Sequence, residues 1–166
     1  MSTQDLTPGD FILAHRNHVI ARLISFAQSR RFRGRDAKYA HWSHAAVIDE
    51  DDHVVEAEIR GVVRSPISKY HPGEYTVVAL DGRLDAEQRR KVVAYAREQI
   101  GQAFGFLDMA GAAVYLLTGR PLRMVRKHHE ICSSLVVRAL HKGGLLKELD
   151  PALTLPADLA KRFDAP

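Results

Sequence analysis

The stretch that decides the fold covers residues 41–57 and reads HWSHAAVIDEDDHVVEA. Two apolar runs, Trp42 to Ile48 and His53 to Ala57, flank four consecutive acidic residues. Short apolar runs on either side of a polar turn are typical of a β-hairpin. We therefore predict two strands joined by an acidic turn at residues 49–52.

Further strands are predicted on both sides of this hairpin. Residues 7–10 read TPGD, a turn sequence, and they precede a short apolar run from Phe11 to Ala14. The run Gly61-Val62-Val63 continues the β region, and Tyr75 to Leu80 forms another strand. The sequence thus predicts a sheet built mostly from neighbouring strands.

The helices are predicted outside this block of strands. Asn17 can cap a helix over residues 18–29, and Asp85 with Gln88 resembles a capping box that begins a helix reaching Ile100. Later helices are predicted over Phe106–Leu117, over Ile131–His141 before Gly143-Gly144, and from LPADLA at residues 155–160. Strands and helices that are segregated along the chain favour an α+β fold.

Composition limits the class of protein. The chain has 166 residues, 46% hydrophobic and 27% charged, which fits one globular domain over residues 1–166. The net charge of +4 permits an anionic surface as a partner but predicts no specific nucleic-acid site. The oligomeric state has no signature in the sequence.

No targeting segment is apparent in the sequence. The first twenty residues carry Asp5 and Asp10 and lack the long apolar run of a signal peptide. The apolar stretch Phe106–Leu117 is too short to span a bilayer. We expect a cytoplasmic protein, or one delivered without a classical signal peptide.

The first candidate for chemistry is Cys132, the single cysteine of the chain. It lies at the start of a predicted apolar helix, where the positive end of the helix dipole favours a thiolate. Backbone N–H groups at the same position can also stabilise an oxyanion. Cys132 is therefore the predicted nucleophile.

A cysteine nucleophile needs a base, and His44 is the best placed of the nine histidines. It lies inside an otherwise apolar strand, which would hold the imidazole in a fixed direction. His41, His128 and His129 are weaker candidates. A carboxylate behind the ring would complete the set.

Glu56 and Glu58 both compete for that third position. With a turn of two or four residues, Glu56 points away from the face of His44. A turn of three residues, or one β-bulge, places His44 on one face with Glu56 or Glu58. The sequence leaves the length of the turn open. No HExxH motif, paired-cysteine zinc spacing or G-x-S-x-G elbow is present, so no metal, no cofactor and no serine nucleophile is predicted.

Several segments together resemble the permuted papain-like branch of the NlpC superfamily, which includes YiiX-type and lecithin retinol acyltransferase-type proteins. These segments are PGDFIL, SHAAVI, VVEA followed by GVVRSPI, IGQAFGF and ICSSLVVRAL, and they cover about residues 8–140. The order of histidine before cysteine is the reverse of that in an unpermuted papain-like enzyme. The resemblance implies a permuted papain-like fold, with an antiparallel sheet packed against helices.

The resemblance also implies a catalytic triad. Matched by position, Cys132 would be the nucleophile, His44 the base and Glu56 the residue that orients it. In YiiX-type relatives a tyrosine often lies near Phe104, and phenylalanine at this position departs from that pattern. Arg126 and Lys127 belong to a basic cluster before Cys132, and these two residues are assigned to substrate binding together with Phe104 and Trp42.

These observations predict a cysteine-dependent hydrolase that cleaves an amide or ester bond through an acyl-enzyme. The substrate would be a peptide, a peptidoglycan fragment or an acyl lipid, and acyl transfer would use the same residues. The alternative is a non-catalytic module of the same fold that binds an anionic lipid or nucleic acid through its basic surface.

Overall fold

The computed structural model describes residues 6–16, 19–103 and 132–165. Its centre is a five-stranded antiparallel sheet in the order β4-β3-β2-β1-β5. The strands are β1 (Phe11–Ala14), β2 (His44–Ile48), β3 (His53–Glu58), β4 (Gly61–Pro66) and β5 (Tyr75–Val78).

Four α-helices are described. They are α1 (Val19–Arg31), α2 (Ala86–Glu98), α3 (Cys132–Lys142) and α4 (Pro156–Arg162). Two 3-10 turns, Gly34–Tyr39 and Ile67–Lys69, lie before β2 and after β4. Asp85 caps α2, accepting a hydrogen bond from the backbone N–H of Gln88 in the predicted capping box.

The strands β1, β2 and β3 are buried on both faces, because their alternate residues enter different clusters. The larger cluster joins Leu13, Ala45, Val47 and Val55 to the apolar side of α3. The smaller cluster lies on the other face and contains Ile12, Ala14, Ala46, Ile48, Val54, Ile67 and Tyr70. Burial on both faces explains why the strands read as continuous apolar runs.

The predicted α+β class is confirmed, and β1 has the predicted bounds. β5 ends at Val78 rather than at Leu80, because the backbone N–H of Leu80 donates to the side chain of Asp10 at 2.9 Å instead of to a strand. Residues 30–38, RRFRGRDAK, form a basic cluster that the sequence predicts as a loop, but the region is partly helical, since α1 continues to Arg31 and a 3-10 turn begins at Gly34.

Some predictions fall outside the described residues. These are the cap at Asn17 and the helix over Phe106–Leu117. Among the helices that the structure describes, none is long and apolar enough to cross a bilayer.

Candidate active site

His44 is the first residue of β2, beside the end of β1. It pairs with Ala14, and the preceding backbone N–H, that of Ser43, donates to the carbonyl of Ala14 at 3.1 Å. The small side chains of Ala45 and Ala46 follow it in the strand. The imidazole is buried, with its side chain 9% exposed, so its direction is fixed by the sheet.

The hairpin decides which glutamate lies behind the imidazole. Asp49 pairs with His53 through a 2.8 Å hydrogen bond between the Asp49 N–H and the His53 carbonyl, which leaves a three-residue loop at positions 50–52. Asp51 and Asp52 both have φ of 55°, a conformation that aspartate tolerates better than most residues. This loop puts Glu56 opposite Ala46, on the face of His44.

Glu56 is the partner of His44. Its Oε2 lies 2.7 Å from Nε2 of the ring, and the carboxylate is fully buried. Glu58 instead pairs with Arg16 and Lys69 nearer the surface. The choice that the sequence left open is therefore settled by the length of the turn, and the geometry selects Glu56.

Cys132 is the first residue of α3, and its thiol contacts His44 at the start of β2. The thiol and the imidazole are hydrogen-bonded, and because Nε2 faces Glu56, Nδ1 is the nitrogen left for sulfur. The backbone N–H groups of Ala45 and Ser133 also donate to the sulfur. The structure thus brings together the three residues that the sequence singled out.

The thiol and imidazole perturb each other strongly. Burial alone would raise the pKa of Cys132, but the hydrogen bond and positive charge of His44 outweigh it and hold that pKa below its ordinary value. Burial alone would lower the pKa of His44, but Cys132 and Glu56 raise it to about 9. Both shifts favour the form of the pair in which Cys132 is a thiolate and His44 an imidazolium.

Glu56 is ionised although it is buried. Burial favours the neutral acid, but His44, Lys69 and Tyr70 together hold the pKa of this carboxyl far below its usual range. Lys69 Nζ lies 2.5 Å from Oε1, and the Tyr70 hydroxyl donates to Oε2 at 2.6 Å. Arg16 Nη1 adds a further positive charge 3.6 Å from Oε2.

Sequence reasoning missed Lys69, Tyr70 and Arg16. Lys69 and Tyr70 lie at the end of the 3-10 turn after β4, and Arg16 lies two residues after the end of β1. No spacing pattern marks them, because they approach Glu56 from separate segments. The usable signal is topological: β4 pairs with β3, so the segment after β4 returns past the strand that carries Glu56.

Of the four predicted substrate-binding residues, the structure describes one, Trp42. Trp42 is buried in the larger cluster, and its indole N–H donates to the carbonyl of Ala165 at 3.0 Å. This placement corrects the assignment to substrate binding, since the ring packs in the core. Phe104, Arg126 and Lys127 lie outside the described residues.

The other basic cluster, around residues 30–38, is partly neutralised. Arg31 pairs with Asp158 at 3.1 Å, and Lys38 pairs with Asp164 at the same distance. These contacts tie the segment to the last helix and the residues that follow it. Arg31 and Lys38 therefore form ion pairs within the protein.

Comparison with known proteins shows a likeness in fold. No family model matches the chain, and no curated protein matches it. The crystal structure of the metalloprotein yiiX from Escherichia coli O157:H7 is similar in fold, with a TM-score of 0.60 and 21% sequence identity. The match covers 93% of this chain and 79% of that one, so a YiiX-like fold is shown.

The metal in the name of that protein has no counterpart that we can place here. Within residues 6–16, 19–103 and 132–165, no group of three or more His, Cys, Asp or Glu side chains is arranged to hold a metal ion. The carboxylate of Glu56 is already bound by Lys69, Tyr70 and His44. These residues therefore do not fit a metal centre.

Proposed function

We propose that this protein is a cysteine-dependent hydrolase that cleaves an amide or ester bond through an acyl-enzyme. The observation that carries the proposal is the hydrogen-bonded line from Cys132 through His44 to Glu56. A nucleophile, a base and a group that orients the base are the three parts that such catalysis needs. In this line the hydrogen bond and charge of His44 favour the thiolate form of Cys132.

The reaction would begin with attack of the Cys132 thiolate on the substrate carbonyl carbon. A C–S bond forms, and the carbonyl electron pair moves to oxygen, where the N-terminal end of α3 favours negative charge. The adduct then collapses, and the departing amine or alkoxide takes the proton from His44. Water attacks the thioester next, gives a proton to His44 and releases the carboxylic acid with the thiolate restored.

Glu56 would act by keeping His44 in one orientation. Its hydrogen bond to Nε2 turns Nδ1 towards the sulfur and stabilises the imidazolium. The order of histidine, glutamate and cysteine along the chain agrees with a permuted papain-like enzyme of the NlpC type. We include that assignment in the proposal, with a peptide, a peptidoglycan fragment or an acyl lipid as substrate.

Trapping of the acyl-enzyme tests the proposal. The protein is mixed with a p-nitrophenyl acyl ester, a peptide amide and a muropeptide, and each reaction is quenched in acid for intact-mass measurement. We expect at least one substrate to leave an acyl group on Cys132 that hydroxylamine removes, and the adduct and turnover to be absent from Cys132→Ser. Absence of both adduct and turnover with all three classes would count against a hydrolase. Salt-sensitive binding to anionic vesicles that survives Cys132→Ala would then favour the non-catalytic module.

The pH dependence of hydrolysis is a second expected result. The reactive form has Cys132 deprotonated and His44 protonated, so kcat/KM should rise through the lowered pKa of the thiol and fall through the pKa of His44, about 9. Alkylation by iodoacetamide needs only the thiolate, so its rate should rise through the same acid limb and show no fall near the second pKa. A hydrolysis profile that keeps rising with pH would contradict the ion pair.

A further inference from the structure

Both oxygens of the buried Glu56 carboxylate are occupied. Oε2 accepts from His44 Nε2 and from the Tyr70 hydroxyl, while Oε1 lies 2.5 Å from Lys69 Nζ. The Glu56 side chain has no exposed surface, whereas that of Lys69 is 24% exposed. Lys69 therefore bridges a buried anion and the surface.

A charge count shows what this contact does. In the reactive form Cys132 and Glu56 are negative and His44 is positive, so these three buried groups carry one net negative charge. A net charge in a site of low polarity is costly unless an opposite charge lies close to it. The ammonium of Lys69 is the nearest compensating charge, and it makes the set of four neutral.

The other charged neighbours do not replace it. Arg16 Nη1 is 3.6 Å from Glu56 Oε2 and is engaged at 3.1 Å by Glu58, which also binds Lys69. Glu58 therefore balances one of the two cations at the rim of the site, and of these two cations Lys69 is the one that donates a hydrogen bond to Glu56. Burial and the nearby carboxylate raise the pKa of Tyr70 well above its ordinary value, so its hydroxyl contributes a hydrogen bond without a charge.

We propose that Lys69 is a positioning residue, which compensates the net charge of the Cys132–His44–Glu56 set and so allows the thiolate to form beside an ionised Glu56. The proposal rests on the proposed function, because the thiolate matters only if Cys132 is the nucleophile. When the Cys132 thiol loses its proton, the net charge of Cys132, His44 and Glu56 changes from zero to minus one. A cation beside Glu56 favours that step. Without this cation the thiolate should form only at higher pH.

The test is the pH profile of iodoacetamide alkylation, followed by intact mass, in variants at this position. Lys69→Met removes the charge, Lys69→Gln removes it but keeps a hydrogen-bond donor, and Lys69→Arg restores it. Lys91→Met is the matched control, since Lys91 is an exposed lysine paired with Glu87. Circular dichroism and urea unfolding show which variants are folded.

We expect Lys69→Met and Lys69→Gln to shift the acid limb of the alkylation profile to higher pH. A shift of one pKa unit lowers the alkylation rate on that limb about tenfold. Lys69→Arg should return the limb to the wild-type position, and Lys91→Met should leave it there. Lys69→Gln decides the matter if Lys69→Met does not fold.

Two results separate the possible failures. A folded Lys69→Gln or Lys69→Met with the wild-type profile would overturn the role of Lys69 while leaving the hydrolase proposal intact. If the alkylation rate of the wild-type protein instead rises only at the pKa of an ordinary thiol, Cys132 is not an activated nucleophile. That outcome would refute the proposed function itself.

Discussion

Replacing His44 with alanine should slow alkylation of Cys132 by at least about tenfold at about pH 6, where an ordinary thiol is almost entirely protonated. The imidazolium hydrogen-bonds to the sulfur and holds the pKa of Cys132 below its ordinary value. Without it, burial raises that pKa and the thiolate disappears at this pH. Hydrolysis should fall further, by about 10²–10⁴-fold, since the proton donor to the leaving group is also lost.

His41→Ala is the matched control for this variant. His41 is exposed, and its Nδ1–H donates a 2.8 Å hydrogen bond to the carbonyl of Lys38 in the preceding 3-10 turn. Because the chain has one cysteine, the mass gained per molecule reports on Cys132 alone. If His44→Ala leaves the labelling rate unchanged, or if His41→Ala reduces it equally, then His44 does not specifically activate Cys132.

Replacing Glu56 with glutamine should affect stability and chemistry together. The substitution keeps the size of the side chain but leaves Lys69 Nζ, now 2.5 Å from a carboxylate oxygen, beside a neutral amide. Removing one partner of a buried ion pair costs about 3–5 kcal/mol. The cost here should lie at the lower end of that range, because Lys69 is partly exposed and also pairs with Glu58. Loss of the group that orients His44 should also lower kcat by about 10²–10⁴-fold.

The stability part of this prediction has a definite pH dependence. The folded-state pKa of Glu56 is depressed, so its contribution to folding is complete above the unfolded-state pKa of about 4.3 and is lost as the pH falls below it. The difference in unfolding free energy between wild type and Glu56→Gln should therefore be largest near neutral pH and shrink in acid. Urea unfolding at a series of pH values measures it. Equal stability at neutral pH would mean that the carboxylate is not held as an ion.

Much of the fold was predictable because local signals and tertiary packing agree. The run Phe11–Ala14 is apolar and short, and it is a strand buried between β2 and β5. Asp85 and Gln88 have the spacing of a capping box, and α2 begins there. The basic segment was harder, since Tyr39 is buried in the core and folds a polar-looking loop into a 3-10 turn.

The site was predictable as a set of residue types but not as a geometry. Cys132 and His44 stand out because a helix start and an apolar strand are unusual places for a thiol and an imidazole. Choosing Glu56 required the length of one loop, which depends on two aspartates that adopt positive φ. Lys69 reaches Glu56 because it lies in the turn after β4, the strand that pairs with β3. Local sequence does not predict which strands pair.

The most direct test of the account is a titration of the thiolate absorbance in the far ultraviolet. The difference between wild type and Cys132→Ser isolates the single cysteine. We predict that the thiolate signal appears well below the ordinary thiol pKa of about 8.5 and that His44→Ala moves it to about that value or above. A wild-type midpoint at or above the ordinary value would contradict the claim that His44 holds Cys132 as a thiolate.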